Sequence, residues 1–285
     1  MTHMEDANSK LSELIVWFKK FNNVLVAFSG GVDSTLVAKV AYMALGDKAY
    51  AATARSPSLP EWELKEAVEI AKLIGIKQFF VNTNETARPE YVRNMPDRCY
   101  FCKEELYNKL SELAASLGVE QIVDGTNFDD LKDFRPGIEA ARKYNVRSPL
   151  AELGIGKELV REISRLLGLP TAPKPSSPCL ASRIAYGHPI TAELLKKVAM
   201  AEEFIRTHVN PRVLRVRVHG DIVRIEVGKD ERYLMFDTNL MDRIATYIKS
   251  LGFTFVTLDL EGYRTGSFLE SLRKTDKHAF IENLT

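Results

Sequence analysis

A short glycine-rich segment between an apolar run and a helical pattern constrains the fold of this chain most strongly. Val24–Phe28 predicts a strand, Ser29–Ser34 reads Ser-Gly-Gly-Val-Asp-Ser, and Thr35–Tyr42 predicts a helix. A glycine-rich turn at a helix N-terminus aims several unpaired backbone N–H groups at one point, and the helix dipole adds roughly half a positive charge there. The segment is therefore predicted to bind an anion such as a phosphate.

The residues of this turn separate two kinds of phosphate-binding motif. The Walker P-loop requires a lysine directly after its glycines, and none is present. The hexapeptide instead resembles the PP-loop of the ATP pyrophosphatases, S-G-G-x-D-S, which implies cleavage of ATP between its α and β phosphates. The resemblance assigns nucleotide binding to Ser29, Gly30, Gly31, Asp33 and Ser34. Asp33 has the wrong charge to bind phosphate, so we expect it to hold a metal ion or to fix the loop. An ordinary glycine-rich turn is the alternative.

Length and charge limit the class of protein. The chain has 285 residues, 45% of them hydrophobic and 27% charged, which predicts a soluble globular protein with room for two domains. Its formal net charge of +1 gives no strong field for nucleic acid, so we expect no tight binding to it. No run approaches the ~18 apolar residues of a membrane span, and the first residues do not resemble a signal peptide. We therefore expect a cytoplasmic protein without a membrane partner.

Strand and helix patterns alternate along the first part of the chain, which predicts an α/β fold with a parallel sheet covered by helices on both faces. The predicted strands after the first are 49–54, 78–82 and 121–124, and the predicted helices are 8–21, 59–74, 101–117 and 157–167. Ligands of such sheets bind beyond the carboxyl ends of the strands. Gly125 and Thr126 follow one strand there, so we assign them to the nucleotide site together with the glycine-rich turn.

Composition divides the chain into three parts. Residues 1–170 form the predicted nucleotide-binding domain, 171–190 form a proline-rich loop or linker that carries Cys179, and 191–285 form a smaller α+β domain for substrate binding or oligomerisation. In that last part the sequence predicts a helix over 192–207, a hairpin of 213–218 and 222–227, a mostly helical stretch over 231–251 and a strand over 253–260. The hairpin alternates apolar and polar residues, so we expect one face exposed to water.

Three cysteines are too few for a disulfide scaffold in a chain of this size. Cys99 and Cys102 form a C-x-x-C at a predicted helix N-terminus, where the dipole should lower the pKa of their thiols. Cys179 lies in the proline-rich segment. If that segment folds back, three thiolates suit an iron–sulfur cluster with one open iron, or a zinc site completed by a residue such as His188. A redox pair and a lone buried cysteine are the alternatives.

Four further blocks carry a resemblance to one family. The blocks are Arg98–Lys103, Asp124–Asp130, Asp133–Gly137 and Ser177–Arg183. They resemble the LarE family of ATP-dependent sulfur transferases, which acts in the nickel-pincer cofactor pathway. The resemblance runs from the PP-loop to the hairpin. It implies a PP-loop ATP pyrophosphatase domain of the adenine nucleotide α-hydrolase-like fold with a smaller α+β domain, working with ATP and Mg²⁺.

The family's activity is the adenylation of the carboxylates of pyridinium biscarboxylic acid mononucleotide and their conversion to thiocarboxylates. Some members sacrifice the sulfur of a cysteine that matches Cys179. Others have three cysteines, matching Cys99, Cys102 and Cys179, and resemble enzymes that carry sulfide on a 4Fe–4S cluster. The resemblance therefore implies the cluster-bearing branch, a mononucleotide substrate, a sulfide donor and a homo-oligomer.

Roles for other residues follow from their charge. Asp33 is expected to face the metal ion, and Arg215 and Arg217, with Arg183, to grip the substrate phosphate, because guanidinium groups match phosphate oxygens. Arg183 is also a candidate catalytic residue beside Cys179 and Asp33. The alternative for the hairpin arginines is a solvated surface. Candidates for loop caps or metal ligands are Asp129, Asp130 and Asp133, and Glu203 is a candidate metal ligand.

Three other functions compete with this one. A PP-loop tRNA thiolase also uses three cysteines, but it requires a basic groove or an RNA-binding module. An ammonia-using ligase resembling NAD synthetase would not need the cysteines. A nucleotide-binding regulator without turnover is the third alternative, and release of pyrophosphate separates it from the enzymes.

Overall fold

The computed structural model describes residues 3–132 and 136–264. Within them the chain divides into two compact units, of which the first ends at Cys179 and the second begins at Leu180. The strands are β1 Val24–Ala27, β2 Ala49–Arg55, β3 Lys77–Asn82, β4 Gln121–Val123, β5 Leu214–His219, β6 Ile222–Val227 and β7 Phe255–Leu258. The helices are α1 His3–Phe18, α2 Val32–Leu45, α3 Glu61–Ile74, α4 Pro89–Val92, α5 Arg98–Leu117, α6 Gly137–Lys143, α7 Pro149–Glu152, α8 Lys157–Leu166, α9 Ala192–Val209 and α10 Thr238–Ser250.

The first unit is built on a parallel four-stranded sheet of order β3-β2-β1-β4. Alternate residues of β1 enter two separate cores, because successive side chains of a strand point to opposite faces. Val24 and Val26 pack in a core with apolar side chains of α1, α2, α3 and α8, whereas Leu25 packs in a core with those of α5 and α6. Helices therefore cover both faces, and the predicted α/β class is confirmed.

The sequence placed most of these elements to within a few residues, but the helix after the glycine-rich turn begins earlier than predicted. It starts at Val32 and not at Thr35, so Asp33 and Ser34 belong to its first turn. The residue before the helix, Gly31, has extended backbone angles. The three short helices α4, α6 and α7 were not predicted, because segments of four to seven residues show no clear helical period.

The second unit holds a three-stranded mixed sheet of order β5-β6-β7, with the hairpin antiparallel and β7 parallel to β6. The predicted wet face of the hairpin is wrong for β5, whose residues from Leu214 to Val218 are all buried. Arg217 of this strand lies inside the unit because the carboxylate of Glu226 on β6 pairs with it, and Arg215 packs its guanidinium on the ring of Tyr263. No helix in the described part of the chain has the length and apolar character needed to cross a bilayer.

Candidate active site

The glycine-rich turn follows β1 and is held by contacts that leave its backbone N–H groups at the start of α2. Gly30 has a φ of +70°, and a Cβ there would lie 2.9 Å from the Cα of Ala67 on α3. Only glycine fits this position without strain. The hydroxyl of Ser34 lies 3.1 Å from that of Ser29 and donates to the carbonyl of Gly31 at 3.2 Å. The turn is thus shaped for a phosphate group at a helix N-terminus.

The loop after β4 meets this turn directly. A Cβ on Gly125 would lie 2.8 Å from the backbone nitrogen of Ser34, so a larger residue cannot occupy the position without displacing the backbone. Asp124, which is buried, accepts hydrogen bonds from the hydroxyl of Thr126 at 2.9 Å and from that of Tyr107 at 2.7 Å. Gly125 and Thr126 are therefore brought to the turn, as the sequence placed them, by an internal carboxylate.

Asp33 has two protein partners. Its Oδ2 accepts from Lys157 Nζ at 2.5 Å, and its Oδ1 accepts from Asn127 Nδ2 at 3.2 Å. Both side chains of the ion pair are partly exposed, 23% for Asp33 and 34% for Lys157. Sequence reasoning missed Lys157, because it belongs to no motif and lies 124 positions from its partner.

A second lysine that the sequence did not single out also lies at the turn. Lys174 donates to the carbonyl of Gly30 at 3.3 Å and pairs with Glu66 at 2.8 Å. Two ammonium groups therefore lie against a segment that is already suited to an anion. The only sequence signal for Lys174 was its place in a proline-rich segment near Cys179.

The acidic residues after Asn127 act as loop and helix caps. Asp129 Oδ2 accepts from the backbone N–H of Lys157 at 2.8 Å, at the start of α8, and its Oδ1 pairs with Lys132 at 3.0 Å. These hydrogen bonds, the one from the Lys157 backbone first, lower the pKa of Asp129. Asp130 accepts from the backbone N–H of Asn127 at 3.1 Å. Asp133, the third candidate, lies outside the described residues.

A cavity of about 400 Å³ opens where β2 ends and α3 begins. It is lined by Arg55, Ser56, Leu59, Glu61 and Leu64. The carboxyl ends of β1 and β2 lie side by side in the sheet, and Leu64 is one helical turn before the Ala67 that touches the glycine-rich turn. The cavity therefore lies beside the predicted phosphate site.

The first turn of α5 carries Cys99 and Cys102, and all three cysteines are free thiols. Cys99 and Cys179 are exposed and Cys102 is half-buried. Burial raises the pKa of Cys102 well above its usual value, and the negative charges of Glu85, Cys179 and Cys99 raise it further. The expected lowering by the helix dipole is therefore wrong for Cys102. Cys99 and Cys179 are thus close enough to Cys102 for their charges to act on its thiol.

A buried carboxylate accompanies the thiols. Glu85 is 1% exposed, and its Oε1 accepts from the hydroxyls of Ser56 and Ser58. Ser58 in turn lies 2.6 Å from the hydroxyl of Tyr91, whose pKa is raised by burial and by the charge of Cys179. The other carboxylate oxygen of Glu85 is buried and has no hydrogen-bond partner. Burial of a carboxylate oxygen without a hydrogen-bond partner lowers the free energy of unfolding. No sequence motif predicted a buried carboxylate at Glu85.

The donor chemistry of the cysteines fits an iron–sulfur cluster, because three thiolates leave one iron of a cubane without a protein ligand. In residues 3–132 and 136–264, however, no group of three His, Cys, Asp or Glu side chains is arranged to hold a metal ion. A cluster would therefore be held by Cys99, Cys102 and Cys179 only after their sulfur atoms draw together.

The second unit contains a separate set of charges. Arg183 Nε donates to Glu202 Oε1 at 2.8 Å, and the two side chains are 1% and 0% exposed. Arg217 Nε donates to Glu226 Oε2 at 3.0 Å, and Glu226 is likewise fully buried. These contacts give Arg183 and Arg217 structural partners. Their roles toward a substrate stay predictions.

Arg215, two residues before Arg217 on β5, stacks on the ring of Tyr263, with its guanidinium carbon 5.2 Å from the ring centroid. Burial and then the positive charge of Arg183 lower the pKa of Arg215 to about 10. The negative charge of Glu202 opposes this lowering, so both a cation and an anion act on the guanidinium of Arg215. Glu203, the candidate metal ligand of this unit, is exposed, as is His188.

The model of the NAD synthase family matches residues 8–104. The chain is 48% identical over 267 residues to an uncharacterized protein of Synechocystis sp., covering 93% of this chain and 99% of that protein. It is 35% identical over 275 residues to the pyridinium-3,5-bisthiocarboxylic acid mononucleotide synthase of Lactiplantibacillus plantarum, covering 95% and 98% of the two chains. A GMP synthase of Aeropyrum pernix is 29% identical over 70% of this chain and 43% of its own length. The first unit is therefore the PP-loop domain of an ATP-using enzyme, and the chain belongs to the pyridinium-3,5-bisthiocarboxylic acid mononucleotide synthase (LarE) family.

Proposed function

We propose that the protein adenylates the carboxylates of pyridinium biscarboxylic acid mononucleotide and converts them to thiocarboxylates. The observation that carries the proposal is the presence of a complete PP-loop and of three neighbouring thiols in one compact unit. An ATP-dependent ligase that uses ammonia needs the first feature and has no need of the second. The relative from L. plantarum supports the substrate class.

In this proposal the PP-loop binds the phosphates of MgATP. The backbone N–H groups at the start of α2 and the hydroxyls of Ser29 and Ser34 donate to phosphate oxygens, and Asp33 faces the magnesium ion. The neighbouring cavity at Arg55 and Leu64 takes the adenosine, since it lies beside the phosphate site and has both polar and apolar walls. Gly125 allows the loop after β4 to pass close enough to close this site.

The first chemical step activates a poor electrophile. A carboxylate oxygen of the substrate attacks the α-phosphorus, a P–O bond forms, and the bond to the β-phosphate oxygen breaks with its electron pair leaving on pyrophosphate. Donors that are already in place stabilise the charge that develops on the leaving group. Lys157 and Lys174, whose ammonium groups lie at the loop, add to this stabilisation.

The second step replaces AMP by sulfur. A sulfur nucleophile attacks the acyl carbon, a C–S bond forms, and the C–O bond to AMP breaks. We propose that Cys99, Cys102 and Cys179 hold a 4Fe–4S cluster, which when bound would supply sulfide from an iron that has no protein ligand. Glu85 and Tyr91 fix the surroundings of the thiols through the hydroxyl of Ser58.

We propose that the arginines of the second unit bind the phosphate of the mononucleotide. Arg215 is the first candidate, because its guanidinium matches phosphate oxygens and lies near a second one, that of Arg183. Arg215→Ala and Arg217→Ala should each weaken substrate binding by about 1.5–3 kcal/mol, the value of one charge-assisted contact, and leave ATP binding unchanged. If both variants keep the wild-type affinity for the substrate, the arginines are structural only.

The activation step is tested by its products. The anaerobically prepared wild type, given the mononucleotide, sulfide and MgATP, should release pyrophosphate and AMP in equal amounts. Ser34→Ala should lose this release, because the hydroxyl that organises the turn is removed, whereas Ser116→Ala, on the exposed surface of α5, should not. Release of ADP and phosphate would refute the PP-loop mechanism. A salt-sensitive, sub-micromolar complex with tRNA would favour a thiolase instead.

The sulfur source is tested on the cysteines. Replacement of Cys99, Cys102 or Cys179 by alanine should in each case lose the iron and the acid-labile sulfide of the reconstituted protein and keep ATP binding. The wild type should turn over repeatedly with added sulfide and show no dehydroalanine at Cys179. Dehydroalanine at Cys179, with the other two cysteines dispensable, would establish sacrifice of the cysteine sulfur.

A further inference from the structure

Each carboxylate oxygen of Asp33 already accepts one hydrogen bond. Lys157 Nζ lies 2.5 Å from Oδ2, and Asn127 Nδ2 lies 3.2 Å from Oδ1. A divalent cation at the same oxygen as an ammonium group would bring two positive charges together at short range, where their repulsion is large. Magnesium on Asp33 is therefore opposed by the ammonium group of Lys157 much more strongly than by the neutral amide of Asn127.

The backbone of Lys157 is fixed by a hydrogen bond at the start of α8, whereas its side chain is a flexible stem that ends in the contact with Asp33. Its N–H donates to Asp129 Oδ2 at 2.8 Å, and Gly156 packs so closely on Asp129 that a Cβ there would lie 2.6 Å from the same oxygen. The lysine side chain is 34% exposed and ends a flexible four-carbon stem. The ammonium group can thus exchange its partner without any movement of α8.

We propose that Lys157 is a partner-exchanging residue of the ATP site. Without nucleotide its ammonium group neutralises Asp33. When MgATP binds, magnesium takes its place on Asp33 and Lys157 moves to the β- and γ-phosphates. When the bond between the α-phosphorus and the β-phosphate oxygen breaks, the electron pair stays on pyrophosphate, and Lys157 neutralises part of that charge without transfer of a proton. This inference rests on the proposed adenylation.

Magnesium pyrophosphate is the probe that tests it, because it occupies the proposed second position of Lys157 without turnover. Isothermal titration of the full chain should show that Lys157→Met weakens binding of magnesium pyrophosphate about 10- to 100-fold, as expected for one charge-assisted contact. Binding of AMP, which lacks the β- and γ-phosphates, should stay within about twofold. Lys157→Arg, which keeps the charge, should restore most of the affinity for magnesium pyrophosphate.

Lys132→Met is the matched control. Lys132 pairs with the same Asp129 at 3.0 Å, but its side chain is 67% exposed and it does not contact Asp33. Lys132→Met should change neither the affinity for magnesium pyrophosphate nor the affinity for AMP. A crystal structure with magnesium and α,β-methylene-ATP should show the pair between Lys157 and Asp33 broken.

Three results overturn the inference: equal affinity of the wild type and Lys157→Met for magnesium pyrophosphate, no binding by the wild type, or an intact ion pair in that complex. Release of ADP by the wild type would instead refute adenylation, so the two failures are distinguishable.

Discussion

Each unit contains an ion pair, and the two pairs differ in their exposure to water. The pair of Asp33 and Lys157 lies at the PP-loop with its side chains 23% and 34% exposed. The pair of Arg183 and Glu202 is sealed, at 1% and 0%. In the first pair, water can solvate either charge and an incoming phosphate can pair with the lysine, so the partners can separate. In the second pair neither charge has that alternative, so separation leaves a buried ion.

This difference in exposure indicates which charged side chains can exchange partners and which are fixed in place. A pair at the mouth of a site costs little to rearrange and suits a step that needs a charge to move. A pair inside a core fixes the geometry of the elements that carry it. Glu202 also accepts from the backbone N–H of Val216 at 3.0 Å, so it connects the short 3-10 helix Leu180–Arg183 and β5 to α9.

The largest effect is expected from breaking the sealed pair. Glu202→Gln leaves Arg183 charged in the core and should destabilise the protein by about 3–5 kcal/mol. Glu203→Gln, the next residue on α9 and exposed, should change stability by less than about 0.5 kcal/mol. Urea unfolding followed by far-ultraviolet circular dichroism measures both. Similar midpoints for the two variants would show that the buried pair contributes little.

An intermediate effect is expected at the contact between the two loops of the nucleotide site. Gly125→Ala forces the new methyl group against the backbone nitrogen of Ser34, and should cost about 1–3 kcal/mol of stability together with most of the affinity for ATP. Gly137→Ala is the control, because its nearest neighbour is the flexible side chain of Lys103. Calorimetric titration with ATP distinguishes them. Unchanged ATP binding in Gly125→Ala would separate this loop from the site.

The smallest effect is expected from the partly exposed pair of Arg147 and Glu152. Burial alone would raise the pKa of Glu152, but hydrogen bonds from Arg147 and Trp17 lower it overall. A lowered folded-state pKa means that its contribution is complete above the unfolded carboxylate pKa of about 4.3 and is lost as the pH falls below that value.

Glu152→Gln should therefore cost about 0.5–1 kcal/mol at pH 7 and nothing in strong acid, where the wild type has lost the same contribution. Glu112→Gln, in the exposed pair with Lys109, is the comparison. Thermal melts from pH 7 to pH 3 measure the gap in stability between the wild type and each variant. A gap between wild type and Glu152→Gln that widens toward acid would contradict the linkage.

Local patterns carried most of what the sequence could predict. The turn with Gly30 and the strand before it depend on neighbouring residues, and so the parallel sheet and the PP-loop were predictable. The partner of Asp33 was not predictable, because Lys157 belongs to no motif and reaches Asp33 only when the fold brings the start of α8 to the glycine-rich turn. The polar face of the hairpin was predicted to be exposed because alternation was taken as exposure, whereas Glu226 pairs with the buried Arg217 and the charge of Glu202 favours the charged form of Arg215.

The boundary between Cys179 and Leu180 has a consequence for synthesis on the ribosome. Every residue of the PP-loop site and all three cysteines precede Leu180, whereas the buried arginine pairs all follow Cys179. Domains generally fold as units from the N-terminus while translation proceeds at about 5–20 residues per second. The nascent chain therefore contains the PP-loop and all three cysteines several seconds before Arg217, the last arginine of the buried pairs, is added, and it passes through an interval in which its thiols are made but the arginines proposed to hold the substrate are not.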